Sequence, residues 1–319
     1  MAGACLAALA WMLVSGRHGD AQPPSPVPAD QAPHRVSPQE PEALNETDLP
    51  SPDPGPTDPT QLDDLVLARQ IENPVSGILR IPLNNTVLFG LGPDEDRVGN
   101  ALVLAPILPA LFANNWSLIT RVILPIAVTV PDFTSSSGNT TGFGDMAIDV
   151  LGHKALEGRK GQLYDLGLGV FTGFPTATDD ALGPKRWRIG PELVLGITAR
   201  RVVTVLLARN VWSVDDRNRP DVNQLALEYL LFYNLPKLWY LATEPLITAN
   251  WNASQRDRWF VPVGGGLGKH FRVPRLPRLA LTTRLQAFYN VVRTPTSPVW
   301  ELNFRFVFWN PNPMRFTGR

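Results

Sequence analysis

Cysteine is nearly missing: the 319 residues contain one, Cys5. A lone thiol at the very start excludes a disulfide framework and a cysteine metal site in the rest of the chain. Net charge is missing too, with 29 basic and 29 acidic residues, so the balance draws the chain to no nucleic acid. After the N-terminal region no apolar run approaches the roughly 18 residues of a membrane helix, which excludes helical spans there. Histidine is scarce, at four residues, and leaves few bases for nucleophilic catalysis.

Proline (32), glycine (25) and tryptophan (9) are plentiful, beyond the usual composition of a soluble enzyme. Twelve of the prolines fall within Gln22 to Thr60, with seven acids and one Arg. That stretch lacks the apolar residues for a core and predicts a disordered linker over 22–60. Before it, the apolar run Ala4 to Val14 and the small residues of Gly19-Asp20-Ala21 predict a signal peptide over 1–21. No Lys or Arg precedes that run, but about ten apolar residues are too short for a membrane anchor. Residues 61–82 read as a periplasmic lead-in, with a short helix over Leu62 to Glu72 stopped at Asn73-Pro74.

From Leu83 the hydropathy alternates with period two, the strand period. Twelve strands are predicted: 83–90, 102–112, 116–130, 144–156, 163–176, 186–199, 201–214, 222–235, 238–251, 257–270, 278–292 and 298–309. In 163–176, Tyr164, Leu166, Leu168 and Val170 oppose Asp165, Gly167 and Gly169. In 116–130, Leu118, Thr120, Val122, Leu124, Ile126 and Val128 share a face opposite Arg121. Strand 201–214 is ambiguous, with Val or Leu on both faces.

A soluble sandwich and a transmembrane barrel both alternate in this way. Strand length separates them: many reach ten to fourteen residues, against about 5–6 in soluble sheets and about 9–11 in tilted membrane strands. Trp116, Trp187, Trp212, Trp239, Tyr240, Trp251, Trp259, Trp300 and Trp309 sit near strand ends, as interfacial girdles do. Loops after odd strands are long and polar, such as Pro175 to Lys185; those after even strands are tight, such as Ala113-Asn114-Asn115 and Arg200-Arg201. Outer-membrane barrels pair long external loops with short periplasmic turns. The fold class is therefore all-β: an antiparallel transmembrane β-barrel over 83–310, with a disordered N-terminal arm and a tail over 311–319. Its location is the bacterial outer membrane.

Several motifs carry a resemblance. They are Trp116-Ser-Leu-Ile-Thr-Arg-Val-Ile-Leu-Pro125, Gly142-Phe-Gly-Asp145, Phe174-Pro-Thr-Ala-Thr-Asp-Asp-Ala-Leu-Gly183, Trp187-Arg-Ile-Gly-Pro191, Asn210-Val-Trp-Ser213 and Trp259-Phe-Val-Pro-Val-Gly-Gly-Gly-Leu-Gly268. Over about Leu67 to Phe308 the chain resembles the bacterial outer-membrane barrels of the phenol meta-pathway transporter-like family, often labelled neuromedin-U-like. The resemblance implies an outer-membrane barrel with a transport role. Two departures stand out. The family loop continues LGxGKW, whereas Leu182-Gly-Pro-Lys-Arg-Trp187 has Lys185 in place of its second glycine. Family members end near F-x-F-P, whereas Phe306-Val-Phe308 runs on into Trp309-Asn-Pro-Asn-Pro.

By strand parity, the lumen is lined by Arg121, Asp149, Asp165, Arg188, Glu192, Glu228, Glu244, Arg284, Glu301 and Arg305. An Arg or Lys facing lipid near the midplane costs about 2–4 kcal/mol, and that cost assigns the charged face to the lumen. Asp145, Asp179, Asp180 and Lys185 read as an external rim, serving as turn formers or a cation-holding mouth. The run Gly264 to Gly268 precedes no helix and no Lys-Ser/Thr, so it reads as strand glycine rather than a phosphate loop.

These features predict passive transport or uptake of small molecules, aromatic or apolar ones included, without catalysis, cofactor or metal. A structural or binding barrel is the alternative, and an outer-membrane lipid-modifying enzyme a further one. The enzyme needs a Ser–His pair at the outer leaflet, whereas His153 and His270 fall near the periplasmic strand ends. Expected partners are membrane lipids, lipopolysaccharide and a small-molecule solute, with no nucleic acid; the chain is expected to be monomeric.

Overall fold

A computed structural model describes residues 64–112, 114–133, 138–215, 218–272, 280–310 and 314–315. The expected signal peptide, the linker and most of the tail lie outside the described residues.

The strands are β1 (Leu79–Leu91), β2 (Arg97–Leu104), β3 (Ile107–Leu111), β4 (Trp116–Pro131), β5 (Asn139–Gly142), β6 (Ala147–Glu157), β7 (Leu163–Gly173) and β8 (Arg188–Ala199). They continue with β9 (Val202–Ser213), β10 (Asn223–Asn234), β11 (Trp239–Thr243), β12 (Leu246–Asn250), β13 (Trp259–Arg272), β14 (Ala280–Val292), β15 (Trp300–Asn310) and β16 (Met314–Arg315). Successive strands pair antiparallel, and β15 returns to β1 from Leu79↔Asn310 through Phe89↔Trp300, which closes the barrel. Three staves are interrupted: β2 continues as β3, β5 as β6, and β11 as β12. With the two-residue β16 set aside, the closed wall has twelve strands. Closure leaves no sheet edge, the condition for a sheet to cross a membrane.

The connections differ at the two ends. At one end the turns are tight: Phe112 N–H still bonds the Trp116 carbonyl, and between them Asn114 and Asn115 both take left-handed φ near +60°, which Asn tolerates better than most residues, while Arg200-Arg201 joins β8 to β9. At the other end the loops are long, the longest joining Gly173 to Arg188.

The alternation predicted for β7 holds: Tyr164, Leu166, Leu168 and Val170 are exposed and Asp165 is buried. Trp116, Trp187, Trp212, Trp239, Trp251, Trp259 and Trp300 face outward, and they form bands near both ends. Trp309 and Tyr240 do not belong to these bands. They are 1% and 2% exposed and turn into the lumen at the short-turn end. Tyr240 lies opposite Gly268 in the ladder and stacks on His270, ring centroids 4.5 Å apart. A Cβ on Gly268 would stand 2.2 Å from the Tyr240 ring, so this glycine makes room for the inward aromatic.

Val128 also departs from its expected face. Leu102 pairs with Ala127 but Val103 with Pro125, so Ile126 is an extra residue in β4. Such a bulge shifts the parity of everything beyond it. Val128 is therefore buried inside, with 0% exposure. A second irregularity lies between β12 and β13. Pairing holds at Ala242↔Gly266 and again at Thr248↔Phe260; between them stand Pro245 and Pro262, which have no N–H for the ladder.

The interior is solid at both ends. At the short-turn end, helix α1 (Asp64–Glu72) buries Leu67, Ala68 and Ile71. Leu67 and Ile71 pack on Ile78, Ala280 and Trp309. A nine-residue helix is too short to persist alone in water, so docking holds it. Beyond its end, Val75 joins an interior core with Val194, Val203, Val205, Leu207 and Phe232. This core explains the ambiguous strand 201–214: its inward residues meet protein, not water. At the long-loop end, Ala177 and Leu182 of the 174–187 hairpin fold inward against Ala147, Phe171 and Val128.

Candidate functional site

Between these two apolar ends the lumen is ionic. Arg121 on β4 stands directly opposite Asp149 on β6, with Nε donating to Oδ2 at 2.5 Å. Glu192 on β8 stands opposite Arg209 on β9. The two pairs meet: Arg121 lies 3.6 Å from Glu192 and Arg209 lies 3.8 Å from Asp149. The Arg209 guanidinium also lies over the Phe171 ring at 4.6 Å, a cation–π arrangement. The result is a four-membered square of alternating charge, every member less than a tenth exposed.

Across the lumen is a second cluster. Arg284 on β14 and Arg305 on β15 are direct cross-strand neighbours, a repulsive pairing on its own. Glu244, at the Pro245 interruption, lies between them, accepting from Arg284 and standing 2.6 Å from Arg305. Arg305 also donates to Asn84 on β1.

Two cavities flank Glu244 and Arg305. The inner one, about 60 Å³, lies above α1 and is lined by Glu72, Arg80, Arg121, Tyr240, Arg284 and Phe232 among others. The outer one, about 20 Å³, is lined by Glu228, Gln286, Glu301 and Asn303 together with Leu246, Phe260 and Pro262. By the volume a water occupies, the inner cavity holds a few waters or one small polar group.

A third cluster joins the wall to the segment after α1. Ser117 Oγ lies 2.8 Å from His153 Nδ1, His153 Nε2 lies 2.9 Å from Asp165 Oδ1, and Asn73 donates to Asp165 Oδ2 at 2.8 Å. Ser, His and Asp are the residue types of a nucleophilic triad. Here the chain ends on Asn73, with all four residues buried, so it ties the plug to the wall. Glu72 is held in the same way. It accepts from Asn234 at 2.7 Å and lies 3.3 Å from His270 Nε2, while Thr282 occupies the other ring nitrogen at 2.7 Å. Arg80 closes the helix end by donating to the carbonyls of Gln70 and Asn73. A cation at the C-terminal carbonyls is favourable both as a cap and for the helix dipole.

Of the ten residues assigned to the lumen by parity, eight are buried, and Glu301 and Arg305 are half-buried against the cavities. Arg121, Asp149, Glu192, Glu244, Arg284 and Arg305 form the two ionic clusters. Asp165 belongs to the plug latch instead. Arg188 lies 3.9 Å from Asp145 near the long-loop mouth. Glu228 and Glu301 line the outer cavity, and Glu301 accepts from Asn290 at 3.3 Å.

The rim residues divide. Asp145 is not exposed at a mouth: at 4% exposure it accepts from the backbone N–H of Ala177 at 2.7 Å and of Lys185 at 2.8 Å. It therefore pins the inward-folded hairpin. Asp179 accepts from Ala181 N–H at 2.9 Å and caps a short helical turn. Asp180 is exposed and bonded to Arg219 at 2.9 Å and Lys185 at 3.1 Å; those hydrogen bonds, Arg219's first, hold its carboxyl below the ordinary value of 3.8. Lys185 takes the left-handed φ of +50° at the place where the resembling family has glycine. Arg186 staples the hairpin to the next loop, 2.5 Å from Asp215 and 3.2 Å from Asp221; the Asp215 hydrogen bond raises its pKa.

Parity alone missed Glu72, Arg80 and Arg209. Arg209 had a usable signal, the cost of a guanidinium on the lipid face, masked by the apolar interior face around it. Glu72 and Arg80 lie before the expected first strand and had none.

No protein-family model matches the sequence, and no curated protein does. Solved structures of outer-membrane proteins align with the chain. The crystal structure of the COG4313 outer membrane channel from Pseudomonas putida F1 aligns with a TM-score of 0.54 and 18% identity, over 73% of this chain and 95% of that one. The NanC porin aligns with a TM-score of 0.45 and 11% identity, over 73% and 98%. The outer membrane phospholipase of Salmonella typhi aligns with a TM-score of 0.38 and 13% identity, over 78% and 97%. At 18% identity the likeness to the first establishes the fold alone. The chain is a closed, twelve-stranded transmembrane β-barrel, with the fold of that outer membrane channel.

Proposed function

We propose that this barrel lies in a bacterial outer membrane and passes small solutes through its lumen. One observation carries the reading: a buried ionic lumen, with cavities inside it, enclosed by a wall whose outer face is apolar. Charges buried at this density are expensive unless paired, and a barrel needing only rigidity fills its interior more cheaply with apolar side chains. The short-turn end faces the periplasm by the usual asymmetry of such barrels. Helix α1 then closes the periplasmic end and the 174–187 hairpin narrows the outer one, so passage requires α1 to yield. The likeness of fold to the COG4313 outer membrane channel and the resemblance to phenol meta-pathway transporter-like barrels support the same reading. In this reading the protein acts as a monomer, with lipid and lipopolysaccharide around it, and performs no catalysis.

The test is solute flux in liposomes containing the purified full-length protein. Flux of small solutes above that of protein-free liposomes is expected. Flux equal to the protein-free level, with the barrel shown folded by its heat-dependent gel mobility, refutes the reading. A structural role, favoured by the three sets of ties that fill the lumen, then leads.

A further inference from the structure

We propose that the inner cavity binds a small carboxylate, held by Arg80, Arg284 and Arg305; this rests on the transport reading and names the class of solute that pauses there. The cavity carries a surplus of cationic donors. Four guanidiniums line it, those of Arg80, Arg121, Arg284 and Arg305, against two carboxylates, Glu72 and Glu244. Arg121 has its own partner in Asp149. Arg284 and Arg305 share the single carboxylate of Glu244. Among the described residues Arg80 hydrogen-bonds neutral oxygens, the carbonyls of Gln70 and Asn73 and the Ser76 hydroxyl, and Glu72 acts on it through charge without a hydrogen bond. Glu228 faces the outer cavity, on the far side of Glu244 and Arg305.

A second observation points the same way. Arg80 and Arg284 are each 5% exposed, and the Nε–H of each has no hydrogen-bond partner among the described residues. A buried donor left unpaired is costly, and an oxyanion supplies what it lacks. Guanidinium presents its donors in a planar fork that matches the two oxygens of a carboxylate. Beside Asn84, His270 and Thr282, much of the remaining lining is apolar, with Phe232, Leu230, Ile107 and Val307, so a short carbon skeleton is accommodated beside the charged head. The volume limits the occupant to a short-chain carboxylate while α1 is docked.

The probe is trifluoroacetate, followed by fluorine NMR against the full-length protein in detergent. Saturable binding is expected, displaced by acetate and not by equimolar chloride. Arg284→Gln and Arg305→Gln are each expected to weaken it about tenfold, the loss of a hydrogen bond to a charged group. Arg284→Lys keeps the charge without the fork and is expected to lie between. Arg256→Gln, which removes an exposed loop cation, is expected to change nothing. Heat-dependent gel mobility confirms that each variant is folded; if the Gln variants do not fold, the Lys variant and acetate displacement decide. The proposal is overturned by no saturable binding, by binding that chloride displaces equally, or by equal loss in Arg256→Gln. Binding without liposome flux overturns the transport reading alone, and flux without binding overturns this inference alone.

Discussion

Removing the side chains that dock α1 should open the short-turn end without unfolding the barrel. The perturbation is Leu67→Ala with Ile71→Ala. Leu67 is 1% and Ile71 5% exposed, and both pack on Ile78, Ala280 and Trp309. Each truncation of this kind costs about 2–5 kcal/mol in a packed site. The two residues are neighbours on one helix face, so their effects are not fully additive, and a combined loss of roughly 4–8 kcal/mol is expected. Polar contacts remain: those on Glu72 from Asn234 and His270, the Asn73–Asp165 bond, the bonds from Arg80 to the carbonyls of Gln70 and Asn73, and the exposed Asp64–Arg272 pair. The buried ones are worth about 1–3 kcal/mol each and the exposed pair about 0–1 kcal/mol. A helix this short has little stability of its own, so it should spend much of its time undocked. Hydrogen exchange read by mass spectrometry gives the answer locally. The amides of 64–76 should exchange at least about 100-fold faster, a change of roughly 2.7 kcal/mol, while β7 and β14 stay protected. Unchanged exchange across 64–76 would show that apolar docking is not what holds the plug. Equal acceleration in the wall strands would show that α1 is part of one folding unit with the barrel.

Three further outcomes follow from particular contacts. Glu244→Gln leaves Arg284 and Arg305 facing each other with no carboxylate between them; breaking a buried ionic cluster in this way should cost about 3–5 kcal/mol, read as a lower midpoint in urea unfolding. Acidification should free the outer hairpin. The Asp180 carboxyl titrates below its ordinary value of 3.8 because Arg219 and Lys185 bond its charged form, so its contribution is present above that value and is lost as pH falls through the lower, folded value. Protease cleavage within 174–187 should therefore rise only in that acidic range, and cleavage constant with pH would contradict the contact. Brominated lipids should quench Trp300, which is 51% exposed, and spare Trp309, at 1%, when each is the last tryptophan left; quenching of Trp309 would place it on the lipid face after all.

The fold was legible in the sequence because a barrel wall writes itself in period two. Closed staves, long loops at one end and inward charges all follow from parity and from the cost of a guanidinium in lipid. Parity failed where the backbone inserted a residue. Nothing in Trp116 to Pro131 announces that Ile126 is extra, so Val128 was assigned to the wrong face. It also failed where the interior is not polar. Trp309 and Tyr240 sit at strand ends, as girdle residues do, yet they turn inward because α1 and the core beside it give them an apolar lumen. The aromatic rule assumes an open interior, and beside α1 the interior of this barrel is packed with protein. The site was legible as a set of charges but not as clusters. That Asp165 belongs to a latch with His153 and Asn73, and Asp145 to the hairpin's backbone, depends on cross-strand register and on a helix folded back into the lumen. Lys185 is the reverse case: the missing glycine was visible in the motif, and the structure shows what it costs, a lysine in the left-handed region.

The most direct test of a conduit closed by α1 is conductance in planar bilayers, with the wild-type protein compared side by side with the Leu67→Ala, Ile71→Ala variant. The wild type should show small or rare openings and the variant larger or longer ones through the same barrel. Two silent proteins, both folded, would contradict the conduit, and identical openings in the two would contradict the helix as its gate.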